Sequence, residues 1–304
     1  MNNSIVVRCI GGVGNQLFQI SLAYSLSKKF NRQILVDTSA YNHYKIRDYG
    51  LNNFKINKEV RYLTKGSLSF FTQIYFATSQ VIYRVFQYIL KNVTGTNKIG
   101  FNIFSYLQQA SLVYNFDRYY YPVTLPEERD ACVYGYFQSV KYFESHAEEL
   151  KELLQVSTPL IGSEVKLLQR ISNSNSVAIS IRVGDDYLHS KSLNVFSEGY
   201  FNNAVKYIKE KVDNPVFFIF SDDIDRVKKM LTFDDEVVFI EGFDEFQSLR
   251  LMYSCKHFIL ANSSFSWWGA FLSTSKNKIV VVPRKWYRDN DAEPDIYLNE
   301  MIRM

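Results

Sequence analysis

The sequence predicts an α/β protein made of two Rossmann-like domains, and three observations support this class. The chain has 304 residues, more than one hydrophobic core usually organises. Residues 5–37 have the pattern of strand, glycine turn, helix and strand, which is the unit that builds parallel sheets. The second half of the chain then alternates strands with helices.

The first domain is predicted from its N-terminal unit. An apolar run indicates a buried strand at residues 5–10, and a glycine cluster follows it. Apolar residues at helical spacing then predict a helix over residues 15–30. The middle of the chain, roughly residues 57–125, indicates aromatic helices and loops without clear bounds. The other elements predicted in this half are a strand at residues 33–37, a strand with its exit loop at 131–139, and a helix at 144–155.

The second domain is predicted to contain a doubly wound parallel sheet. A polar run at residues 172–175 precedes it and marks the boundary, so we divide the chain into residues 1–172 and 173–304. In such sheets ligands bind at the carboxyl ends of the strands. The strands are expected at residues 176–182, 216–221, 237–240, 257–260 and 279–282, and the helices at 200–211, 223–231, 245–254 and 264–273.

Composition and charge exclude several classes of protein. The net charge is only +4 and no basic run is present, so no nucleic-acid partner is predicted. The spacing of Cys9, Cys132 and Cys255 fits no zinc site, and we interpret them as reduced core residues of a cytoplasmic protein. The N-terminus has no basic region before an apolar run, so no signal peptide is expected.

Residues 68–90 are apolar enough to raise the question of a membrane span. Arg84 lies well inside the segment, and a lone arginine is costly in lipid. The pattern therefore favours a buried or amphipathic helix. A mildly basic protein also favours anionic ligands or an anionic membrane surface.

The first candidate site is the glycine turn at Gly12 and Gly14, with Asn15 beside it. Because glycine lets backbone N–H groups approach an anion at a helix N-terminus, the turn predicts a phosphate cradle. Asp37 is placed to hold a ribose, which leaves an NAD-dependent oxidoreductase open as an alternative. Against that alternative, Leu17 stands where its fingerprint requires a third glycine. A tight turn without a ligand also stays open.

The second candidate site begins at Arg182, at the end of a predicted strand and before Gly184, Asp185 and Asp186. A guanidinium can bind a phosphate bidentately. A neighbouring carboxylate can accept the proton of a hydroxyl nucleophile. Taken alone, the segment is more typical of an Arg–Asp pair on the surface.

Three aspartates follow another predicted strand. Asp223 and Asp225 form an Asp-x-Asp pair, as in metal-dependent glycosyltransferases, but they also fit a helix N-cap and an acidic first turn, which we favour. Asp222 is a candidate hydrogen-bond acceptor for a base or a ribose. No metal site is predicted, because the histidines show no ligand spacing: His43, His146, His189 and His257.

A second anion cradle is predicted at Asn262, Ser263 and Ser264. These small polar residues follow a strand and open a helix, whose N-terminus favours negative charge. In the same segment, Trp267 and Trp268 are more typical of core packing than of sugar stacking.

Six short motifs follow one another between about residue 5 and about residue 288. They are residues 11–19, residues 135–139 with 142–143, residues 181–185, residues 220–223, residues 251–257 and residues 261–270. Each motif alone is weak. In this order they resemble those of the α-1,2-fucosyltransferases, glycosyltransferase family 11.

The resemblance implies a GT-B-like fold, with two Rossmann-like domains that face each other across a cleft. The first domain would lie on the acceptor side, and the second would bind the nucleotide sugar. The implied reaction moves L-fucose from GDP-β-L-fucose to the 2-hydroxyl of a terminal galactose, with inversion and without a metal or other cofactor. The acceptor would be a galactose-terminated glycan or lipid-linked oligosaccharide of bacterial surface polysaccharide, with peripheral contact at the inner face of the membrane.

The resemblance also assigns residues. Arg182 would hold the β-phosphate, Ser263 and Ser264 would contact the phosphates, and Asp222 would contact the guanosine. With the carboxylate argument above, the expected catalytic residues are Arg182 and Asp185. The expected donor-binding residues are Gly12, Gly14, Asn15, Asp222, Asn262, Ser263, Ser264 and Phe265.

The arginine motif departs from the family pattern at three positions. Ser180 replaces the usual histidine, Val183 replaces the usual second arginine, and Asp186 is an added acid. These changes leave the donor sugar and the general base open. They also leave a non-catalytic carbohydrate-binding protein as an alternative, beside the metal-dependent transferase with Asp223 and Asp225.

Overall fold

The computed structural model describes residues 3–42, 48–95, 98–126, 129–231, 236–288 and 293–304. Contacts between Cα atoms divide the chain into two compact units, Met1–Leu153 and Leu154–Met304. Each unit contains one sheet whose described strands are all parallel. The predicted class, two α/β units with parallel sheets, is confirmed.

The first unit is organised around β1 (Ser4–Arg8), a strand whose first four residues are buried. It pairs on one side with β2 (Gln33–Asp37) and on the other with β5 (Ala131–Gly135). The described strands take the order β3-β2-β1-β5-β4, where β3 is Arg61–Tyr62 and β4 is Leu112–Asn115. The helices are α1 (Val13–Phe30), α2 (Phe70–Thr94), α3 (Gly100–Gln109) and α4 (Ala147–Leu153).

The second unit is organised around β6 (Asn175–Ile181), which is buried from its second residue onward and pairs with β7 (Pro215–Ser221) along its whole length. The described strands take the order β11-β10-β9-β6-β7-β8, where β8 is Val237–Phe239, β9 is His257–Ile259, β10 is Val280–Val282 and β11 is Met301–Arg303. The helices are α5 (Gly162–Ser172), α6 (Asp185–Leu188), α7 (Glu198–Lys211), α8 (Ile224–Met230), α9 (Glu245–Ser254) and α10 (Ser264–Leu272).

Every strand and helix predicted for the second unit is present within a few residues of its predicted bounds. In the first unit, the helix expected at 144–155 begins as a 3₁₀ turn at Glu144–His146 and continues as α4. Cys9, Cys132 and Cys255 are buried free thiols, as predicted, and burial raises the pKa of Cys132 to about 11. Across the described residues, no helix has both the length and the apolar character that a membrane crossing requires.

Helix α5 belongs to the second unit, although the sequence analysis places the boundary behind it. Glu164 of α5 is fully buried, and both of its carboxylate oxygens accept hydrogen bonds from Nη1 of Arg250 in α9, at 3.1 and 3.2 Å. Nη2 of Arg250 also donates to Oγ1 of Thr158 at 2.8 Å. This buried pair joins α5 to α9, so the contact boundary falls before α5, between Leu153 and Leu154.

Replacing Glu164 by Gln should lower the free energy of unfolding by roughly 3 kcal/mol, because the buried Arg250 guanidinium loses its counter-charge. Chemical denaturation of the purified chain measures the effect. The matched control is Glu236→Gln, which removes the carboxylate from an exposed pair with Arg170 and should cost under about 1 kcal/mol. Equal losses in both variants would contradict a special role for the buried pair.

Candidate active site

The centre of the candidate site is Arg182, the residue that follows β6. Its Nε lies 2.7 Å from Oδ2 of Asp222, an ion pair without hydrogen-bond alignment. Its Nη2 donates to Oδ2 of Asp186 at 3.1 Å. The guanidinium carbon lies 5.3 Å from the ring centroid of Tyr187, and a quarter of the side chain stays exposed. Two carboxylates and a ring therefore fix a guanidinium that solvent and ligands can still reach.

Asp222 anchors the loop that carries this arginine. Its Oδ1 accepts hydrogen bonds from the backbone N–H groups of Val183 and Gly184, at 2.9 and 3.1 Å. A Cβ at position 184 would lie 2.9 Å from Oδ2 of Asp222, which explains the glycine there. The structure thus gives Asp222 a positioning role, and its expected contact with guanosine stays a prediction.

Asp185 opens the short helix α6 and pairs with an arginine that sequence analysis missed. Its Oδ1 lies 2.9 Å from Nη2 of Arg226, and its side chain is 74% exposed. Nη1 of Arg226 also donates to the carbonyl of Val183 at 2.6 Å. The hydrogen bond with Asp185 raises the pKa of the Arg226 guanidinium above its ordinary value. Asp185 is therefore held on the arginine loop by a cation from α8.

The acidic segment before α8 caps that helix, as the favoured interpretation predicts. Oδ1 of Asp223 accepts a hydrogen bond from the N–H of Arg226 at 2.9 Å, and Asp225 lies in the first turn. Among the residues that the structure describes, no three His, Cys, Asp or Glu side chains are grouped for a metal ion. Of the histidines named above, His43 lies outside the described residues.

Asn262 follows β9 and is only 6% exposed. Its Nδ2 donates to the carbonyls of Leu193 and Trp286, at 2.8 and 2.7 Å. Its Oδ1 accepts a hydrogen bond from the hydroxyl of Tyr187 at 2.7 Å. Because the ring of Tyr187 also lies under Arg182, this tyrosine joins the arginine loop to the segment that opens α10. Sequence analysis gave Tyr187 no role.

The predicted second cradle lies at the N-terminus of α10. Ser263 is its N-cap and is 6% exposed, while Ser264 and Phe265 lie in the first turn and are partly exposed. First-turn N–H groups have no acceptor inside a helix, and the helix dipole favours an anion there. Trp267 and Trp268 are fully buried, so the packing interpretation of this pair is confirmed.

Both loops leave the same edge of the second sheet. β6 and β9 are parallel neighbours, and the N–H of Ala261 donates to the carbonyl of Ser180 at 3.0 Å. The structure therefore brings together Arg182 and the predicted serine cradle, which are far apart in sequence. Their arrangement, a fixed guanidinium beside a helix N-terminus, can bind a diphosphate.

The glycine turn of the first unit is tightly built. Gly11 has φ +77°, and a Cβ there would lie 2.7 Å from Nδ2 of Asn15. Gly12 is the N-cap of α1, whose second residue is Gly14. Oδ1 of Asn15 accepts a hydrogen bond from Gln138 at 2.8 Å. Donor binding by Gly12, Gly14 and Asn15 stays a prediction.

Two buried glutamines hold this turn, and sequence analysis missed both. Nε2 of Gln16 donates to the carbonyl of Gly11 at 3.0 Å. The amide of Gln19 exchanges two 3.1 Å hydrogen bonds with the backbone of Ile10 and donates to the carbonyl of Gly135 at 2.9 Å. The available signal was a pair of glutamines three residues apart in the first two turns of the helix, beside the apolar residues Leu17, Phe18 and Ile20.

Two solved structures resemble this chain in fold. The chain matches NodZ α-1,6-fucosyltransferase co-crystallised with GDP at a TM-score of 0.51 and 13% identity, covering 90% of this chain and 93% of that one. It matches fucosyltransferase NodZ from Bradyrhizobium at a TM-score of 0.54 and 12% identity, covering 88% and 92%. The protein therefore has the GT-B-type fold of these glycosyltransferases, as predicted.

The chain belongs to glycosyltransferase family 11, because the model described as glycosyl transferase family 11 matches residues 4–304. It is 30% identical to an α-1,2-colitosyltransferase of Escherichia coli over 93% of this chain and 92% of that protein. It is 28% identical to the O-antigen biosynthesis glycosyltransferase WbnK of Escherichia coli, over 92% and 94%. The resemblance seen in the motifs is confirmed, and the enzyme is a glycosyltransferase.

The oxidoreductase alternative is not supported. Oδ1 of Asp37, the residue proposed for a ribose, accepts a hydrogen bond from the N–H of Ser39 at 2.9 Å. Its Oδ2 lies 4.0 Å from Nη1 of Arg8. Together with the family match, these contacts assign Asp37 to local structure in the first unit.

Proposed function

We propose that this protein is an inverting, metal-independent enzyme that moves L-fucose from GDP-β-L-fucose to the 2-hydroxyl of a terminal galactose. The observation that carries the proposal is the Arg182–Tyr187–Asn262 connection, which holds a guanidinium beside the N-terminus of α10. Such a site can neutralise a diphosphate with protein groups alone.

The chemistry of the transfer gives each group a task. Breaking the bond between fucose and the β-phosphate leaves both bonding electrons on the phosphate oxygen, where negative charge builds. Arg182 and the first-turn N–H groups of α10 would stabilise that charge more strongly in the transition state than in the ground state. Asp185 would accept the proton that the acceptor hydroxyl loses as it attacks the opposite face of the sugar.

The acceptor is proposed to be a galactose-terminated glycan or a lipid-linked oligosaccharide of a bacterial surface polysaccharide. The name of the O-antigen relative supports this class of acceptor. The test is to incubate the protein with GDP-fucose and a panel of galactose-ended acceptors, and then to measure the mass gain and determine the linkage by NMR. Transfer to a position other than the 2-hydroxyl, or donor hydrolysis alone, would overturn the proposal.

A second candidate donor is GDP-colitose, because the 30%-identical relative is a colitosyltransferase. Ser180 and Val183, which depart from the fucosyltransferase pattern, lie on either side of Arg182. The two donors should be compared as competitors for one acceptor. A higher kcat/KM with GDP-colitose would assign the protein to colitose transfer and leave the roles of the phosphate-binding groups unchanged.

GDP is expected to stabilise the protein equally with and without EDTA, because protein groups alone neutralise the diphosphate. At about a hundred times its dissociation constant, GDP should add roughly 2.7 kcal/mol to the free energy of unfolding. A thermal shift measurement with and without EDTA tests this. A GDP shift that EDTA abolishes would favour a metal held by Asp223 and Asp225.

A further inference from the structure

Helix α2 exposes an apolar face, and the buried face on its other side alternates the aromatic rings of Phe76 and Tyr83 with two amides. Gln80 and Gln87 point inward, and each is only 6% exposed. The buried Gln80 accepts a hydrogen bond from Nη1 of Arg8 and donates to Sγ of Cys132 at 3.3 Å. The opposite face is apolar at helical spacing and exposed, through Phe71, Ile74, Ile82, Val85, Ile89 and Val93.

This exposed face is large. Phe71 is 82% exposed, Ile82 is 68% exposed and Val93 is 78% exposed. In α3, the next helix along the chain, Phe101 and Tyr106 are 51% and 73% exposed. So many exposed apolar side chains along one helix face are unusual on a free soluble protein, and they mark a surface that binds a partner.

The charge of the surrounding segment identifies the partner. From residue 60 to residue 116 the sequence contains no Asp or Glu, and its charged residues are Arg61, Lys65, Arg84, Lys91 and Lys98. The chain as a whole carries a net charge of only +4, so its positive excess lies in this segment. An apolar stripe with aromatic side chains and basic neighbours is the pattern of a helix that lies in the headgroup region of an anionic bilayer.

We propose that α2 lies flat on an anionic lipid surface, with its apolar stripe in the boundary between headgroups and acyl chains. Its 25 residues span roughly 37 Å, and no described helix is apolar enough to cross a membrane. Lys65 precedes the helix and Lys91 lies in its last turn; both are exposed, and their long side chains can reach lipid phosphates near the two ends of the stripe. The surface would hold the enzyme where membrane-bound acceptors are found, but the proposal does not depend on the proposed reaction.

A second copy of the chain fits this surface less well than lipid does. A symmetric contact through α2 would bring two segments of exclusively positive charge together, and such juxtaposition is repulsive. Anionic lipid headgroups complement the same charges. Tyr and Phe side chains also favour the membrane–water interface.

The test is sedimentation of the full chain with vesicles of phosphatidylcholine, alone or mixed with phosphatidylglycerol. We expect binding to the mixed vesicles that weakens as salt is raised, since headgroup attraction is screened. The triple variant Phe71→Ser, Ile82→Gln, Val93→Gln should bind at least about 10-fold more weakly, because it removes apolar area from the stripe. The control Leu160→Gln, Met230→Gln changes exposed apolar residues of the second unit and should bind like the wild type.

Two further measurements keep the test decisive. Circular dichroism and thermal melting check that the triple variant is folded. Lys65→Ala with Lys91→Ala should reduce the preference for phosphatidylglycerol while the fold is kept.

Absence of binding to the mixed vesicles, or equal binding by the folded triple variant, would overturn the proposal. Concentration-dependent dimers that only the triple variant abolishes would assign the face to a second copy instead. No sugar donor enters the assay, so its outcome is separate from that of the proposed reaction.

Discussion

Arg182→Ala is expected to lower kcat by about 10²–10³-fold, the usual loss when one preorganised donor to a transition-state charge is removed. The guanidinium is held by Asp222, Asp186 and the ring of Tyr187, so it needs little reorganisation when charge builds on the β-phosphate. Steady-state kinetics with the donor and acceptor found in the transfer assay would measure the loss.

Two further variants separate charge from geometry. Arg182→Lys keeps the charge but loses the planar fork, so it should recover only part of the rate. Arg170→Ala removes an exposed arginine of the same unit that pairs with Glu236, and it should leave turnover unchanged. Near-normal turnover in Arg182→Ala would remove this residue from the proposed role.

Most of the second unit could be predicted from sequence because its strands are short continuous apolar runs bounded by polar turns. β6 and β7 are of this kind, and parallel sheets bury such strands on both faces. β3 contains only two residues, too few for a period. β11 has only two consecutive apolar residues, whereas β8, β9 and β10, which are equally short, lie in longer apolar runs. The bounds of α2 were not predictable for a different reason. Its inward face mixes Gln80 and Gln87 with aromatic residues while its outward face is largely apolar, so polarity does not separate the two faces.

The candidate site was predictable as separate motifs but not as an arrangement. The positions after β6 and β9 were predicted because ligands bind at the carboxyl ends of parallel strands. The contacts that organise them join residues distant in sequence, as in Tyr187 with Asn262 and Arg226 with Asp185. No local pattern encodes such pairs. The same reason explains why the contact boundary differs from the predicted one, since the Glu164–Arg250 pair that joins α5 to the second unit is also nonlocal.

Asp185→Asn is expected to lower kcat by at least about 10²-fold, the lower end of what a general base contributes. Asparagine keeps the shape of the side chain and removes its ability to take the proton of the acceptor hydroxyl. GDP affinity should change little, because Arg182 is held by Asp222 and Asp186 rather than by Asp185. Steady-state kinetics and a GDP titration on the same samples measure the two effects separately.

The ion pair with Arg226 makes this the sharpest test of the site. If Asp185 only holds the arginine loop through that pair, then Arg226→Ala and Asp185→Asn should weaken GDP binding alike, and kcat at saturating donor should be kept. If Asp185 is the base, only Asp185→Asn should lose kcat with GDP binding intact.

Asp186→Asn is the companion variant, because Asp186 is the neighbouring carboxylate and contacts Arg182. If Asp186→Asn is inactive and Asp185→Asn is active, the general base is Asp186 and not Asp185. Full activity in both would mean that a loose, oxocarbenium-like transition state needs neither carboxylate as a base.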